Sequence, residues 1–383
     1  MGEVLNNWEN GRWIGQTLEV ENGVCAVPSK AGIKDLEYND EVKEATDHLY
    51  DEVSDFIPKF EWPAYAPLVH AINTLKKEKN AVILAHNYMT PDIFSLIGDF
   101  KGDSLGLAIE ATKTKADIIV QAGVHFMAET SKILCPDKTV LIPSMRAGCS
   151  LASSITGEDV KLIKQRYPGV PIVTYVNTSA DVKAESDICC TSSNAVQVVE
   201  SLGVDKVIML PDEFLAKNVA NQTDVEVIAW HGRCEVHARF SAQDVRDMRA
   251  ANPGVVVLAH PECPPEVVEE SDFTGSTKAM SDYVGDHKPN NVILLTECSM
   301  SDNVAMANPD VDFVRPCNLC PHMKRITLEN IHECLRDEVH EVKVPKSMQK
   351  KALRAVQRMI DLPPPAEKGH FDPLAAHKPI KVI

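Results

Sequence analysis

From about residue 66 onward, short apolar runs alternate with stretches of helical spacing. PLVHAINTLKKEKN reads as a helix that leads into the apolar run AVILAHNYM. Three runs, VILAHN at 82–87, IVTYVN at 172–177 and VVLAHP at 256–261, read as strands that each open a unit. Each is followed by a second strand opened near an Asp and then a helix: ADIIVQAGVHFMAETSKIL from Ala116, SDICCTSSNAVQVVESL from Ser186 and SDFTGSTKAMSDYVG from Ser271. A third strand follows: TVLIPS at 139–144, VIMLPD at 207–212 and VILLTE at 292–297. Strands alternating with helices predict an α/β fold with parallel sheets.

The repetition predicts more than a class. Each unit closes near a cysteine, at Cys149, Cys234 and Cys320, and these three follow one another at near-equal spacing. On this alignment the first unit carries about twenty extra residues, including GDFKGDSLGLA, before its second strand. Three copies of one plan predict three similar units in a pseudo-threefold arrangement. The expected limits are 66–150 (joined by a C-terminal helix over 325–365), 151–236 and 237–324. Residues 1–65 read as an N-terminal extension. Within it, Val42, Ala45, Leu49 and Val53 recur at spacings of three and four, which predicts a covering helix over 38–56. Residues 366–383, rich in Pro, His and Lys, read as a surface tail.

Composition narrows the function. A chain of 383 residues is long enough for a large core, and its net charge of −16 argues against nucleic acid and anionic membrane surfaces. The apolar runs are far shorter than the ~20 residues of a membrane span. The start, MGEVLNNWENGRW, has no apolar targeting segment, so a cytoplasmic location is expected. Eleven cysteines, an odd count, argue against a disulfide framework. Cys189 and Cys190, in an apolar run, read as core.

The stretch RPCNLCPHMK at 315–324 leaves three chemistries open. Structural zinc wants four ligands, and His322 is too close to Cys320 for easy chelation. A dithiol in the redox sense would follow a strand, as VDFV does here. The repeat offers the third: Cys149, Cys234 and Cys320 meeting at one point, three thiolates for three irons of a [4Fe–4S] cube. Cys317 falls outside the repeat phase.

The motifs AHNYM (85–89), VHFMAETSKIL (124–134), AGCSLASS (147–154), YVNTSADVKAESDICCTSSNAV (175–196), WHGRCEVH (230–237), HPEC (260–263) with GST (275–277), and CPHMK (320–324) together resemble the quinolinate synthase family, over roughly 66–365. The resemblance implies three three-layer αβα units around one central [4Fe–4S] cluster. It implies condensation of iminoaspartate with dihydroxyacetone phosphate to quinolinate, with loss of phosphate and water, on the de novo route to NAD. The implied cluster ligands are Cys149, Cys234 and Cys320, with one iron left open as a Lewis acid. Tyr88, His260 and Glu262 are the implied catalytic residues. His86, Ser104, Tyr175, Asn177, Ser192 and Thr277 would contact substrate, and His237 is a weaker second candidate. The unstable imine implies a supplying enzyme that oxidises or dehydrogenates L-aspartate; neither nucleic acid nor membrane is expected as a partner. Where some relatives have a C-x-x-C-x-x-C run, its first position here is Val314.

Two rivals remain at this stage. Hydroxymethylbutenyl diphosphate reductase has a similar three-cysteine architecture, but its reaction is reductive. An iron–sulfur sensor without turnover is the other; a DNA-binding one should carry a basic helix, and none is read. Ser104, Ser192 and Thr277 each lie where a strand gives way to a helix. Each is open to two uses, helix cap or anion donor.

Overall fold

A computed structural model describes residues 36–363 and 370–383, together with a two-residue antiparallel pairing of Trp8–Glu9 with Arg12–Trp13. Most of the expected extension, up to residue 35, lies outside the described residues.

Three sheets carry the fold. The first runs Phe100–Gly102, Ala81–His86, Ile118–Ala122, Thr139–Leu141. The second runs Ile188–Cys190, Ile172–Tyr175, Lys206–Leu210, Glu226–Ala229, with Lys381–Val382 added beyond the last. The third runs Phe273–Gly275, Val256–Ala259, Asn291–Leu295, Asp312–Val314, with His370–Phe371 added antiparallel beside the first of these. In all three, the four main strands are parallel and lie in the same order: second, first, third, fourth by chain position. Parallel sheets need both faces covered, and the strand residues divide accordingly. Val257, Ala259, Ile293 and Leu295 enter one apolar cluster, while Leu258, Val292 and Leu294 enter another.

This order corrects the sequence alignment in the first unit. GDFKGDSLGLA is not an insertion. It supplies the second strand, Phe100–Gly102, and the start of the helix Ser104–Lys113. The aspartates prove the equivalence: Ile83, Ile172 and Val257 donate their N–H groups to Asp99, Asp187 and Asp272 at 2.8, 2.9 and 2.8 Å. ADIIVQAG supplies the third strand, not the second, and TVLIPS the fourth. Each fourth strand is then the one that leads to Cys149, Cys234 or Cys320.

Two other expectations change. Within 325–363, the described part of the expected helix 325–365, there are two helices. Leu328–Asp337 packs on Trp62–Glu78, and Lys346–Ile360 packs on Ala180–Glu185 and His125–Leu134. The C-terminal tail is not merely surface, since Phe371 is buried in the pairing with the third sheet. Within 38–56, the helix spans only Asp40–Thr46 before a tighter turn, Asp47–Glu52, and buries Val42 and Thr46 in place of Ala45. No described helix is long and apolar enough to cross a membrane.

Candidate functional site

One cavity is lined by residues from all three sheets. The sheet pairing places His86, Tyr175 and His260 at equivalent positions, at or just past the carboxyl end of the first strand of each sheet. Two residues further on come Tyr88, Asn177 and Glu262. Ser104, Ser192 and Thr277 are a third equivalent set, following the second strands. All nine line the cavity, as do Cys149, Cys234 and Cys320. Carboxyl ends of parallel strands are the usual place for ligands.

The cap reading of the hydroxyls does not hold. Asp103 caps Ser104–Lys113 and Ser276 caps Thr277–His287, so Ser104 and Thr277 are the first residues inside their helices. Asn194 occupies the cap position after Ser192. Thr277 Oγ1 accepts from Asn87 Nδ2 at 2.9 Å.

The cysteines repeat one local geometry. The carbonyl of each accepts the N–H of the residue four on, Ser153, Ala238 and Lys324, at 3.0, 2.9 and 3.2 Å. Each thiol is addressed by the backbone N–H three residues on, from Ala152, His237 and Met323. Burial outweighs these donors. It pushes Cys149 up to about 12, Cys320 to about 11 and Cys234 well above its ordinary value. Three clustered thiols that burial and mutual repulsion keep protonated suit a soft metal group, whose positive charge would favour the thiolates. Cys298 and Cys317 lie outside the cavity lining, with their sulfurs 3.6 Å apart. Cys189 and Cys190 are fully buried, as core cysteines should be.

Around Glu262 the groups are set for hydrogen bonding. Tyr175 Oη donates to Glu262 Oε1 at 2.5 Å, and His237 Nδ1 lies 3.0 Å from Oε2. Burial pushes Glu262 up, but the two facing histidines and these two bonds outweigh it and hold its carboxyl low. His237 Nδ1 is also 3.2 Å from Cys234 Sγ. Cys234, His237 and Glu262 therefore offer ligand atoms within 4.8 Å of one another, enough for a single metal ion. Burial lowers His86 to about 4 and His260 to about 3, so both rings are neutral at pH 7. In each, Nδ1 accepts the N–H of the residue two on, Tyr88 at 3.1 Å and Glu262 at 3.3 Å. The ring proton is thus assigned to Nε2 in both. Tyr88 and Tyr175 are pushed well above 10 by burial, then by the charge of Glu262, and remain protonated.

Sequence reasoning missed the clamps behind these loops. Asn303 Nδ2 donates to the carbonyls of Asn87 and Met89, on either side of Tyr88, at 3.0 and 2.8 Å. Asn218 Nδ2 does the same for Pro261 and Cys263, on either side of Glu262, at 2.8 and 3.0 Å. Lys183, with no exposed surface, donates to Val176 and Thr178, on either side of Asn177. Thr296 and Glu297 were also missed. Glu297 accepts from Cys320 N at 3.3 Å and pairs with Lys324 at 3.0 Å. A signal existed: the third strands end TE at 296–297 where the second unit has Pro211–Asp212.

A family model described as Quinolinate synthetase A protein matches residues 70–361. The chain belongs to this family. It is an enzyme, as the family's named members are. It is 62% identical over 349 residues to a quinolinate synthase of Caulobacter vibrioides (strain NA1000 / CB15N), covering 90% of this chain and 95% of the relative. It is 65% identical over 312 residues to quinolinate synthase 2 of Mesorhizobium japonicum, covering 82% and 96%. It is 63% identical over 324 residues to a quinolinate synthase of Agrobacterium fabrum, covering 85% and 93%. The family match spans all twelve predicted site residues and every clamp. Among the described residues, Asn177 Oδ1 and His322 Nδ1 are buried atoms without a hydrogen-bond partner, and both residues line the cavity. Buried polar atoms of this kind call for a partner, and both atoms belong to residues at the cavity.

Proposed function

We propose that this chain is a quinolinate synthase, condensing iminoaspartate with dihydroxyacetone phosphate to quinolinate, phosphate and water. It acts in the cytoplasm on the de novo route to NAD, with its imine supplied by an L-aspartate-oxidising enzyme. Three units, meeting near residues 150 and 236, form the site. The observation that carries this reading is the convergence of three thiols and three equivalent sets of polar residues on one cavity.

Both substrates are anions, yet among the described residues no Lys or Arg lines the cavity. Neutral donors answer that need. Ser104 and Thr277 open helices of ten and eleven residues, whose first N–H groups and dipoles favour a carboxylate or phosphate. Ser192 and the side-chain amide of Asn177 add donors, His86 offers Nε2–H without charge, and Tyr175, whose one proton goes to Glu262, meets substrate as an acceptor. His260 presents Nε2–H to a carbonyl or leaving hydroxyl. Glu262, held ionised, accepts a proton from carbon or nitrogen. Tyr88 completes the acid–base set.

Cys149, Cys234 and Cys320 would hold a [4Fe–4S] cluster, whose open iron supplies a Lewis acid for dehydration. A single ion on Cys234, His237 and Glu262 would leave two thiols unused and take Glu262 from proton transfer, so the cluster is the better account.

The test is purification without oxygen, with iron and sulfide quantified, then addition of both substrates and detection of quinolinate by mass spectrometry. Quinolinate in proportion to iron supports the reading. A full cluster with no quinolinate, or turnover only with an electron donor, overturns it in favour of a reductase.

A further inference from the structure

The chain beyond residue 324 returns to an edge of each sheet. Residues 340–342 lie against the fourth strand of the first sheet, where Ile142 N donates to His340 O and Val342 N to Val140 O, at 3.2 and 2.8 Å. The stretch 370–383 does the same twice more, and it lies beyond the family match, which ends at residue 361. His370–Phe371 pairs with Thr274 and Gly275 of the third sheet, just ahead of Thr277. Lys381–Val382 pairs with Ile228 and Ala229 of the second sheet, on the strand that leads to Cys234. Thr277 and Cys234 both line the central cavity.

The two pairings are fastened to each other. Phe371 is buried, and its backbone belongs to the third sheet while its side chain enters the apolar core shared by the first and second. Between the pairings the tail is tied to the end of the helix Glu213–Gln222 and the turn after it. Gln222 Nε2 donates to Asp372 O and its Oε1 accepts from Asp372 N, at 2.9 and 3.0 Å. Lys378 N donates to Asn221 Oδ1 at 2.8 Å, and Lys378 Nζ to Thr223 O at 2.6 Å. At the far end Ile383 N donates to Ala229 O at 2.8 Å, and His231 Nδ1 donates to Ile383 O at 2.9 Å. The same helix carries Asn218, which holds the Glu262 loop. One helix and one tail thus join the second sheet to the third.

An edge strand leaves N–H and C=O groups unpaired, and a strand that fills them while fastened elsewhere fixes where that edge lies. We propose that residues 370–383 are a positioning clasp for the cavity. Through 370–371 the clasp sets the place of Thr277, and through 381–383 it sets the place of Cys234. The anion donor of the third sheet and the thiol of the second thereby keep their spacing. Each half acts on a different group, so the halves are separable: one governs substrate binding, the other the hold on metal. The effects on substrate and iron rest on the proposed reaction; the clasp itself does not.

The experiment loosens each half in the full chain and reads three quantities. Phe371→Ala releases the first half, with Phe371→Leu as the conservative control; Ile383→Pro removes the N–H given to Ala229 and releases the second. Amide hydrogen exchange should quicken about tenfold or more over 273–279 in Phe371→Ala and over 226–232 in Ile383→Pro, and stay as in the parent over 81–86. In Phe371→Ala, KM for one substrate should rise about threefold or more, with kcat and the rate of iron loss to a chelator within about twofold. In Ile383→Pro, iron loss should quicken about threefold or more with KM within about twofold. Phe371→Leu should match the parent. Gln222→Ala, which loses both bonds to Asp372 and leaves the core filled, repeats the first arm if Phe371→Ala does not fold. Unchanged exchange at both strands would overturn the clasp. KM and iron loss moving together in both variants, or neither moving while exchange rises, would show packing without positioning and overturn it too. A parent that holds no iron or makes no quinolinate would refute the proposed reaction, and the exchange result would still decide whether the clasp exists.

Discussion

Tyr175 and Glu262 stand 2.5 Å apart, hydroxyl to carboxylate, although Tyr175 ends a strand of the second sheet and Glu262 lies three residues past a strand of the third. The contact makes the acid–base centre a property of the assembled sheets, since neither sheet contains both groups. Tyr175→Phe removes one of two donors from Glu262, and a drop in kcat of about tenfold or more is expected. Glu262→Gln removes the acceptor and should cost about 100-fold or more. Steady-state kinetics on protein with a full complement of iron checks both. Turnover within twofold of the parent for Glu262→Gln would remove it from the chemistry.

The three-part plan was legible because apolar strands and cysteines recur in phase. His86 with Tyr88 and His260 with Glu262 stand out as pairs at the ends of two equivalent strands, whereas Tyr175 and Asn177 are implied only by the family resemblance. The second strand of the first sheet could not. It is three residues long with an exposed Lys101 at its centre, so it carries no apolar run. The aspartate before it was the better marker, because it takes a backbone N–H of the neighbouring strand in all three sheets. The clamps were illegible for another reason. Lys183, Asn218 and Asn303 are polar residues on helices, and periodicity reads such residues as solvent-facing. Only the loop carbonyls they meet explain their burial.

The thiols divide sharply by place. Cys149→Ser, Cys234→Ser and Cys320→Ser should each lower bound iron and abolish quinolinate formation. Cys298→Ser and Cys317→Ser, outside the cavity, should leave most of both. Iron and sulfide analysis beside the activity assay decides this. Loss of the cluster in Cys317→Ser with retention in Cys320→Ser would show that the wrong cysteine of RPCNLCPHMK had been chosen. Exposure to oxygen or a chelator should reduce turnover in step with iron.

Donors without charge should show themselves in KM. Ser104→Ala and Ser192→Ala each delete a hydroxyl facing the cavity while leaving the cap at Asp103 or the position of Asn194 intact. A hydrogen bond to an anion contributes about 1.5–3 kcal/mol, so KM should rise about tenfold or more for one substrate. Helix content by circular dichroism should not change. An unchanged KM for both substrates in both variants would mean that the anions bind elsewhere in the cavity.

The clamp at Asn218 predicts a linked loss of stability and rate. Asn218→Leu leaves the carbonyls of Pro261 and Cys263 buried without partners, at about 1–3 kcal/mol each. The thermal midpoint should fall by several degrees, and kcat should fall with it because Glu262 lies between those carbonyls. A variant that melts early but turns over normally would separate the loop from the chemistry.

Glu129 gives the protein a pH-dependent stability of predictable sign. It is fully buried beside the segment that carries Lys183, with Oε2 accepting from Ala180 N at 3.1 Å and Oε1 3.9 Å from His125 Nδ1, without a hydrogen bond among the described residues. Burial pushes its carboxyl up to about 8, against the opposing charge of Lys183. The folded chain therefore holds this proton more tightly than the unfolded chain, whose carboxyl titrates near its ordinary value of 4.5. The stabilisation is complete below that ordinary value and is lost as pH rises toward about 8. Glu129→Gln keeps the shape and cannot ionise, so its melting curve should lack this decline. Thermal melts of both proteins between pH 5 and 8.5 should cross or converge at the acid end, with the variant higher by about 2 °C or more at the alkaline end. A variant that is less stable than the parent at pH 8.5 would mean that Glu129 is ionised when folded and that its attraction to Lys183 outweighs the cost of burying the charge.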